Sequence, residues 1–209
     1  MTTFPINPRS TAVLAVDLQN CFVENSPVAA PGGLRVLERI NGVTRRFRGA
    51  GSLVIWSRHV VRPDHADVGI LGITVPPVNA GIIDEDARSS MLHDGVDLER
   101  ADITLKKPQF GCFHNTSLDS ILRARGIDTV LIGGIATNFC CETTAREAHA
   151  REYKVLFLSD GTATFDLPNL TGGVIAAADV QRQTLATLAF AFAETLSCDD
   201  AIRRLSVSL

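Results

Sequence analysis

The chain has 209 residues, of which 45% are hydrophobic and 21% charged, a balance that is typical of a folded globular protein and excludes disorder as its main state. Its 20 basic and 23 acidic residues leave a net charge of −3, which argues against a nucleic-acid partner. We find neither an apolar run of about 20 residues, as a membrane span needs, nor an N-terminal signal pattern, so we expect a cytoplasmic protein with no membrane partner and one domain over residues 1–209.

Apolar segments and amphipathic segments alternate along the chain. We predict strands over six segments: 11–18, 51–58, 103–107, 128–135, 154–160 and 188–195. We predict helices over 32–50, 117–125, 137–151 and 173–187, and a terminal one from Cys198. The connection 59–100 is rich in Pro, Gly, Asp and His. Such a long connection inside a compact domain is usually functional.

Apolar strands that alternate with helices indicate a parallel sheet covered on both faces. The fold class predicted here is therefore α/β, with three αβα layers around a doubly wound, mostly parallel sheet of six strands. In such folds the ligand binds beyond the carboxyl ends of the strands, near the point where the strand order reverses. Candidate site residues should consequently be sought where predicted strands end.

Three chemically able side chains follow predicted strands: Asp17, Lys107 and Cys140. A thiol, a carboxylate and an ammonium at adjacent strand ends would supply a nucleophile, a general base and a stabilising charge. Each residue also has a purely structural interpretation. Asp17 can cap a turn, Lys107 can be a solvated strand end, and Cys140 can be a small buried apolar residue.

The five cysteines are odd in number, irregularly spaced and without a C-x-x-C pair, which favours reduced thiols over a disulfide framework or a zinc site. Cys140 follows GGIATNF at the predicted start of a helix, where backbone N–H groups lower a thiol pKa and can hold an oxyanion. Cys141 should face the core instead.

Three motifs carry a family resemblance: VDLQNCF, KKPQFGCFHNTSLDSILRARGI and GIATNFCCETTAREA. In this order they resemble the motifs of the isochorismatase-like superfamily of cysteine hydrolases, and the resemblance covers nearly the whole chain. It implies an Asp17–Lys107–Cys140 triad and no cofactor. It also implies a homo-oligomer, a dimer or a tetramer.

The resemblance further implies a non-proline cis peptide between Ile135 and Ala136, with Thr137 as its clamp. That bond would turn the Ala136 N–H toward the Cys140 N–H and so complete a two-donor oxyanion hole. The expected reaction is attack of the thiolate on a small amide or ureido (N-carbamoyl) carbonyl, with a thioester intermediate and release of ammonia.

Departures from the family pattern indicate which branch of the superfamily the chain resembles. Metal-binding nicotinamidases carry D-x-H after the second strand, whereas this chain has Arg58-His59-Val60-Val61, so we expect no metal. Isochorismatases that cleave a vinyl ether lack the cysteine. Ureidoacrylate, biuret and N-carbamoyl hydrolases are the most similar branch, while another small amide such as maleamate or a nicotinamide-like compound stays open.

Five residues near the predicted strand ends are candidates for substrate contact: Asn20, Phe22, Arg58, Gln109 and Phe110. Arg58 could bind a substrate carboxylate through two hydrogen bonds, although surface solvation is the alternative for any one of them. Two functions without amide hydrolysis also remain: a silent binding or scaffold protein, and a thiol redox protein that uses Cys140 with Cys141 or Cys112.

Overall fold

Six parallel strands form one sheet in the computed structural model, which describes residues 3–207. Its strands are β1 (Thr11–Val16), β2 (Leu53–His59), β3 (Ile103–Lys107), β4 (Thr129–Ile135), β5 (Lys154–Ala163) and β8 (Glu194–Leu196). A separate hairpin pairs β6 (Leu167–Pro168) with β7 (Val174–Ile175). The spatial order of the large sheet is β3-β2-β1-β4-β5-β8, so the order reverses between β1 and β4.

Helices cover both faces of this sheet. In chain order they are α1 (Asn20–Val23), α2 (Gly33–Gly49), α3 (Leu71–Thr74), α4 (Pro76–Asn79), α5 (Leu118–Ala124), α6 (Glu142–His149), α7 (Ala177–Ala191) and α8 (Cys198–Val207). One core joins α2 and α8 to the sheet, and the other joins α5, α6 and α7 to the opposite face. The predicted three-layer α/β fold is confirmed. Every helix within residues 3–207 is too short or too polar to cross a membrane.

The predicted strand over 188–195 is wrong in position. Helix α7 continues to Ala191, and β8 begins only at Glu194. The helix buries Val180, Thr184 and Leu188, which recur every four residues, so one helical face packs on the core through the region assigned to a strand. Phe190 is 93% exposed on that helix, and its alternation with alanines imitated a strand.

The connection after β2 contains short helices where the sequence indicated only irregular structure. Its helices α3 and α4 bring Leu71 and Val78 into a small apolar cluster with Val61 and Ile83. Gln19 anchors this connection, because its side-chain amide donates to the Ser90 carbonyl at 2.7 Å and its Oε1 accepts from the backbone N–H of His59 at 2.7 Å. The connection thereby becomes one wall of a cavity at the carboxyl end of the sheet.

Candidate active site

Asp17 follows β1 in the left-handed backbone region, with φ of 50°, and its side chain is fully buried. Ser57 on β2 holds it there: the Ser57 hydroxyl donates to Asp17 Oδ1 at 2.6 Å, and Ser57 Oγ accepts from the Asp17 backbone N–H at 3.1 Å. Sequence reasoning missed Ser57. Its alternation with Arg58 on β2 was the available signal, since neighbouring strand residues face opposite sides.

Lys107, at the end of β3, joins Asp17 and Cys140 into one group. Its Nζ lies 2.8 Å from Asp17 Oδ2 and 3.4 Å from Cys140 Sγ, and it donates to the Gln109 carbonyl at 2.9 Å. The three strand ends are not all adjacent, which corrects the expectation, because β2 lies between β1 and β3. The long lysine side chain reaches past β2 to make both contacts.

Burial controls the charges in this group. Desolvation raises the pKa of Cys140 well above its usual value, and the Lys107 ammonium opposes that rise only in part. The prediction of a lowered thiol pKa is therefore wrong for the resting site, where burial outweighs the helix start. For Lys107, burial would lower the pKa, but the Asp17 carboxylate and the neighbouring thiols raise it instead. The lysine stays an ammonium and the cysteine rests as a thiol.

Asp17 is placed to receive a proton from the thiol. Its Oδ2 lies 2.8 Å from Lys107 Nζ as an ion pair, and its carboxylate also accepts a hydrogen bond from Cys140. Its partner oxygen Oδ1 is already occupied by Ser57. The base function would consequently fall to Oδ2, the oxygen that faces Lys107.

The turn that carries Cys140 begins at two glycines of β4. A Cβ on Gly134, whose φ is 133°, would lie 2.0 Å from the Val16 carbonyl oxygen, so only glycine fits there. The peptide bond between Ile135 and Ala136 is cis, at the position that the resemblance implies. Residues Thr137–Cys141 then form a π-helical turn that leads into α6.

Two side-chain pairs hold this turn. Thr137 Oγ1 donates to Gln181 Oε1 on α7 at 2.6 Å, and Thr164 Oγ1 donates to Asn138 Oδ1 at 2.5 Å. Gln181 in turn donates through Nε2 to the hydroxyl of Thr162 at 3.0 Å. The expected clamp residue Thr137 therefore lies at the turn, but its partner Gln181, 44 residues later, had no signal in the sequence.

Of Asp17, Lys107 and Cys140, it is Cys140 that lines a cavity of about 410 Å³. The residues that line it are Phe22, Val28, His59, Leu71, Thr74, Val75, Pro76, Pro77, Val78, Ile82, Ile83, Phe110, Ile135, Ala136, Phe139, Cys140, Phe165 and Pro168. Ala136 and Cys140 both reach it, as an oxyanion hole requires, and the orientation of their N–H groups toward a substrate remains a prediction.

The five candidates for substrate contact divide into two groups. Phe22 and Phe110 line the cavity. The other three are absent from its lining and have other partners. Asn20 Nδ2 donates to the Arg88 carbonyl at 2.9 Å, the Arg58 guanidinium donates to the carbonyls of Ser90 and Glu85 at 3.0 Å each, and the Gln109 carbonyl accepts from Lys107.

His59 is a further residue of the cavity, in the stretch where the sequence pattern leads us to expect no metal. It is 3% exposed, its ring packs edge-on against Phe110 at 5.6 Å, and its Nε2 has no hydrogen-bond partner among residues 3–207. Burial, with the nearby Lys107 charge, lowers its pKa to about 3. It is therefore a neutral imidazole beside the thiol.

Asp17, His59 and Cys140 offer three potential metal-ligand atoms within 4.8 Å of one another. Lys107 Nζ lies against two of these residues, at 2.8 Å from Asp17 and 3.4 Å from Cys140. The Lys107 ammonium would repel a cation bound between them at close range. The Asp17 carboxylate would attract that cation only weakly, because Lys107 already neutralises its charge. The donor set suits an internal ion pair better than a metal ion.

Comparisons with known proteins match nearly the whole chain. The sequence model of the isochorismatase domain matches residues 11–199. The chain is 33% identical to a ureidoacrylate amidohydrolase of Methylorubrum extorquens, over 93% of this chain and 86% of that one, and 30% identical to one of Klebsiella pneumoniae subsp. pneumoniae, over 78% and 80%.

Solved structures show the same relationship. A cysteine hydrolase of Pseudomonas syringae pv. phaseolicola superposes with a TM-score of 0.95 at 36% identity, covering 99% of this chain and 97% of that one. An isochorismatase family protein of Burkholderia thailandensis superposes with a TM-score of 0.81 at 28% identity, covering 97% and 98%.

Proposed function

Because the chain belongs to the isochorismatase family, we propose that it is a cysteine amidohydrolase, a hydrolase of carbon–nitrogen bonds other than peptide bonds. Its substrate is a small linear amide or ureido compound, cleaved through a thioester acyl-enzyme with release of ammonia. One observation carries this proposal: Lys107 Nζ lies 2.8 Å from a carboxylate oxygen of Asp17 and 3.4 Å from the Cys140 thiol that lines the cavity.

The first half of the reaction forms the thioester. Asp17 Oδ2 takes the proton from Cys140 Sγ, and the thiolate electron pair forms a C–S bond to the substrate carbonyl carbon. Lys107 stabilises the negative charge that passes through the group. The carbonyl oxygen becomes an oxyanion held by the N–H groups of Ala136 and Cys140, a contribution on the order of 10²–10³ in rate for each donor. The C–N bond then breaks, and the nitrogen leaves with the proton that Asp17 returns.

The second half regenerates the enzyme. Asp17, again a carboxylate, takes a proton from a water molecule whose oxygen attacks the thioester carbon. The C–S bond breaks, the sulfur recovers the proton, and the acid leaves. Water provides both the hydroxyl of the product and the proton of the restored thiol, so no other reactant is needed.

Burial of the ion pair favours an enzyme over a silent scaffold. Lys107 and Asp17 are both 0% exposed, and the desolvation of two charges costs several kcal/mol per ion before their attraction offsets it. A binding protein would gain nothing from charges placed behind its pocket. For the thiol redox alternative, the pair of Cys140 with Cys141 is disfavoured, because a disulfide between adjacent residues would be strained.

The test is ammonia release from a panel of ureido acids, biuret, N-carbamoyl amino acids, maleamate, nicotinamide and uncharged primary amides. The control is Cys140→Ala, and acid-quenched enzyme is examined by intact-protein mass spectrometry for an acyl adduct. We expect turnover of at least one class, lost in the variant, with an adduct on Cys140. Equal ammonia release by both proteins, or none from any compound, would overturn the proposal.

A further inference from the structure

We propose that the substrate of this site is an uncharged primary amide with an apolar acyl group, which occupies the cavity while an amide N–H donates to His59. This inference rests on the proposed function and narrows its substrate class. It separates this chain from relatives named for ureidoacrylate, which carries a carboxylate.

The cavity lining carries the argument. Among the residues that the structure describes, its eighteen lining residues contain no Asp, Glu, Lys or Arg. Only His59, Thr74 and Cys140 have side chains that can take part in hydrogen bonds or chemistry there. The other fifteen are aliphatic, aromatic or proline. A volume of about 410 Å³ is at the low end of the roughly 300–1,000 Å³ of ligand pockets, so a small apolar group would fill it.

A substrate carboxylate would find no cation in this cavity. Lys107 is fully buried behind the thiol and is paired with Asp17. Arg58, which the sequence suggested for this role, donates its guanidinium to the Ser90 and Glu85 carbonyls and is not in the lining. A buried charge without a partner is strongly disfavoured. The cavity therefore selects against acidic substrates.

Aromatic side chains shape the space beside the thiol. Phe110 and Phe139 have ring centroids 5.6 Å apart, and Phe139 stacks on Phe165 at 5.7 Å. All three line the cavity with Cys140. Burial of apolar substrate surface against such rings favours binding by about 25 cal/mol per Å². The acyl group, rather than a polar tail, is then the part of the substrate that provides affinity.

His59 supplies a side-chain acceptor for the N–H groups of a primary amide. Its ring has a hydrogen bond with the backbone of Pro108, where only the carbonyl is available, so the ring is the donor in that bond. Its Nε2 is unpaired, buried and left as an acceptor. A ring nitrogen of His59 lies within 4.8 Å of Cys140 Sγ. A substrate N–H that donates to this nitrogen would place the carbonyl carbon next to the thiol.

The first experiment compares matched amides on the wild-type enzyme. Acetamide, butanamide and hexanamide form an uncharged series, and 6-amino-6-oxohexanoate (adipamate) matches hexanamide with a carboxylate in place of the terminal methyl group. We expect kcat/KM to rise about 3- to 4-fold for each added methylene and adipamate to fall about 100-fold or more below hexanamide. Equal or faster turnover of adipamate or ureidoacrylate, abolished by Cys140→Ala, would overturn the inference and leave the proposed function standing.

Binding gives a readout that does not depend on turnover. Calorimetric titration of Cys140→Ala with hexanamide and adipamate should show the same preference for the uncharged ligand. Absence of turnover for every amide and every ureido compound would overturn the proposed function. Equal or tighter binding of adipamate would overturn the substrate class by itself.

A new cation should invert the preference. Thr74 is exposed on α3 and lines the cavity, whereas its neighbour Ile73 is 81% exposed and does not. We expect Thr74→Arg to raise the adipamate-to-hexanamide ratio of kcat/KM about tenfold or more, because a guanidinium can then pair with the carboxylate. Ile73→Arg adds the same charge outside the cavity and should leave the ratio within about twofold. Equal shifts in both variants would count against the cavity as the acyl site.

His59 is tested with His59→Leu and His59→Asn. Leucine removes the acceptor, so kcat/KM for hexanamide should fall about tenfold or more. Asparagine retains a side-chain oxygen and should recover part of the loss. A His59→Leu variant with unchanged kcat/KM would remove His59 from substrate recognition.

Discussion

Lys107 and Asp17 form a fully buried ion pair, with Nζ and Oδ2 2.8 Å apart, although they come from strands that are separated by a third. The pair leaves no net charge behind the cavity, and it explains how a lysine is retained at 0% exposure. Either partner alone would be an uncompensated charge in the interior.

Replacement of one partner should therefore destabilise the fold more than replacement of both. We expect Lys107→Met to lower the free energy of unfolding by about 3–5 kcal/mol, because Asp17 is left unpaired, and the double variant Asp17→Asn with Lys107→Met to regain most of that loss. Urea denaturation of the wild type, the two single variants Lys107→Met and Asp17→Asn, and the double variant measures this. Additive losses in the double variant would show that the two charges do not stabilise each other.

Cys140 should react slowly as a resting thiol. Burial raises its pKa well above the usual value, so little thiolate exists at pH 7. We expect alkylation by iodoacetamide to be slower than that of glutathione at pH 7 and to keep rising above pH 9. The Cys140→Ala protein, whose four remaining cysteines are also buried, gives the background rate. A rate that levels off below pH 8 would contradict a raised pKa.

Ser57 and Ser52 provide a matched pair of buried serines. Ser57 holds both Oδ1 and the backbone N–H of Asp17, whereas the Ser52 hydroxyl is buried without a partner in the described chain. Ser57→Ala should cost about 1–3 kcal/mol in stability and lower kcat, because Asp17 loses its support. Ser52→Ala should be neutral or stabilising. Equal effects in denaturation and turnover would mean that Ser57 does not position the base.

Gln181 is a positioning residue for the nucleophile turn. Gln181→Leu removes the acceptor for Thr137 and should lower kcat about tenfold or more while KM changes little, since a displaced nucleophile affects the chemical step. Gln181→Glu keeps an oxygen for Thr137 and should rescue part of kcat. Gln183→Leu, on the exposed side of the same helix, is the control and should resemble the wild type. A fall in stability with unchanged kcat would assign Gln181 to the fold alone.

Local patterns were sufficient to predict the sheet. Apolar runs between helices predict the number of strands in the large sheet, and the strand over Ile103–Lys107 has the predicted bounds. Asp17, Lys107 and Cys140 could be found because each lies near a strand end and within a motif. The helical continuation through Leu188 was missed, because an alternating Ala-Phe run imitates a strand when its buried neighbours are unknown.

Contacts between distant segments were not predictable. The partner of Thr137 is 44 residues away and that of Asp17 is 40 residues away, at positions where serine or glutamine is ordinary on its own. The apolar lining was hidden too, because it is assembled from two short helices and a connection whose composition looked polar. The sequence position of Arg58 suits a carboxylate ligand, but in the fold its guanidinium donates to the backbone carbonyls of Ser90 and Glu85.

His59 should make stability depend on pH. Its pKa is lowered from 6.5 to about 3, first by burial and then by Lys107, while Asp17 acts in the opposite direction. Between these two values the unfolded chain binds a proton that the folded chain does not, so stability falls as pH decreases, with a slope of up to about 1.4 kcal/mol per pH unit. His59→Asn should remove this component, and urea denaturation of both proteins from pH 7 to pH 4 measures it.

Other titrating groups remain in both proteins, so the difference between the two slopes isolates His59. Parallel curves would show that this imidazole takes up a proton in the folded protein as readily as in the unfolded chain, and would contradict its assignment as a neutral acceptor in the cavity.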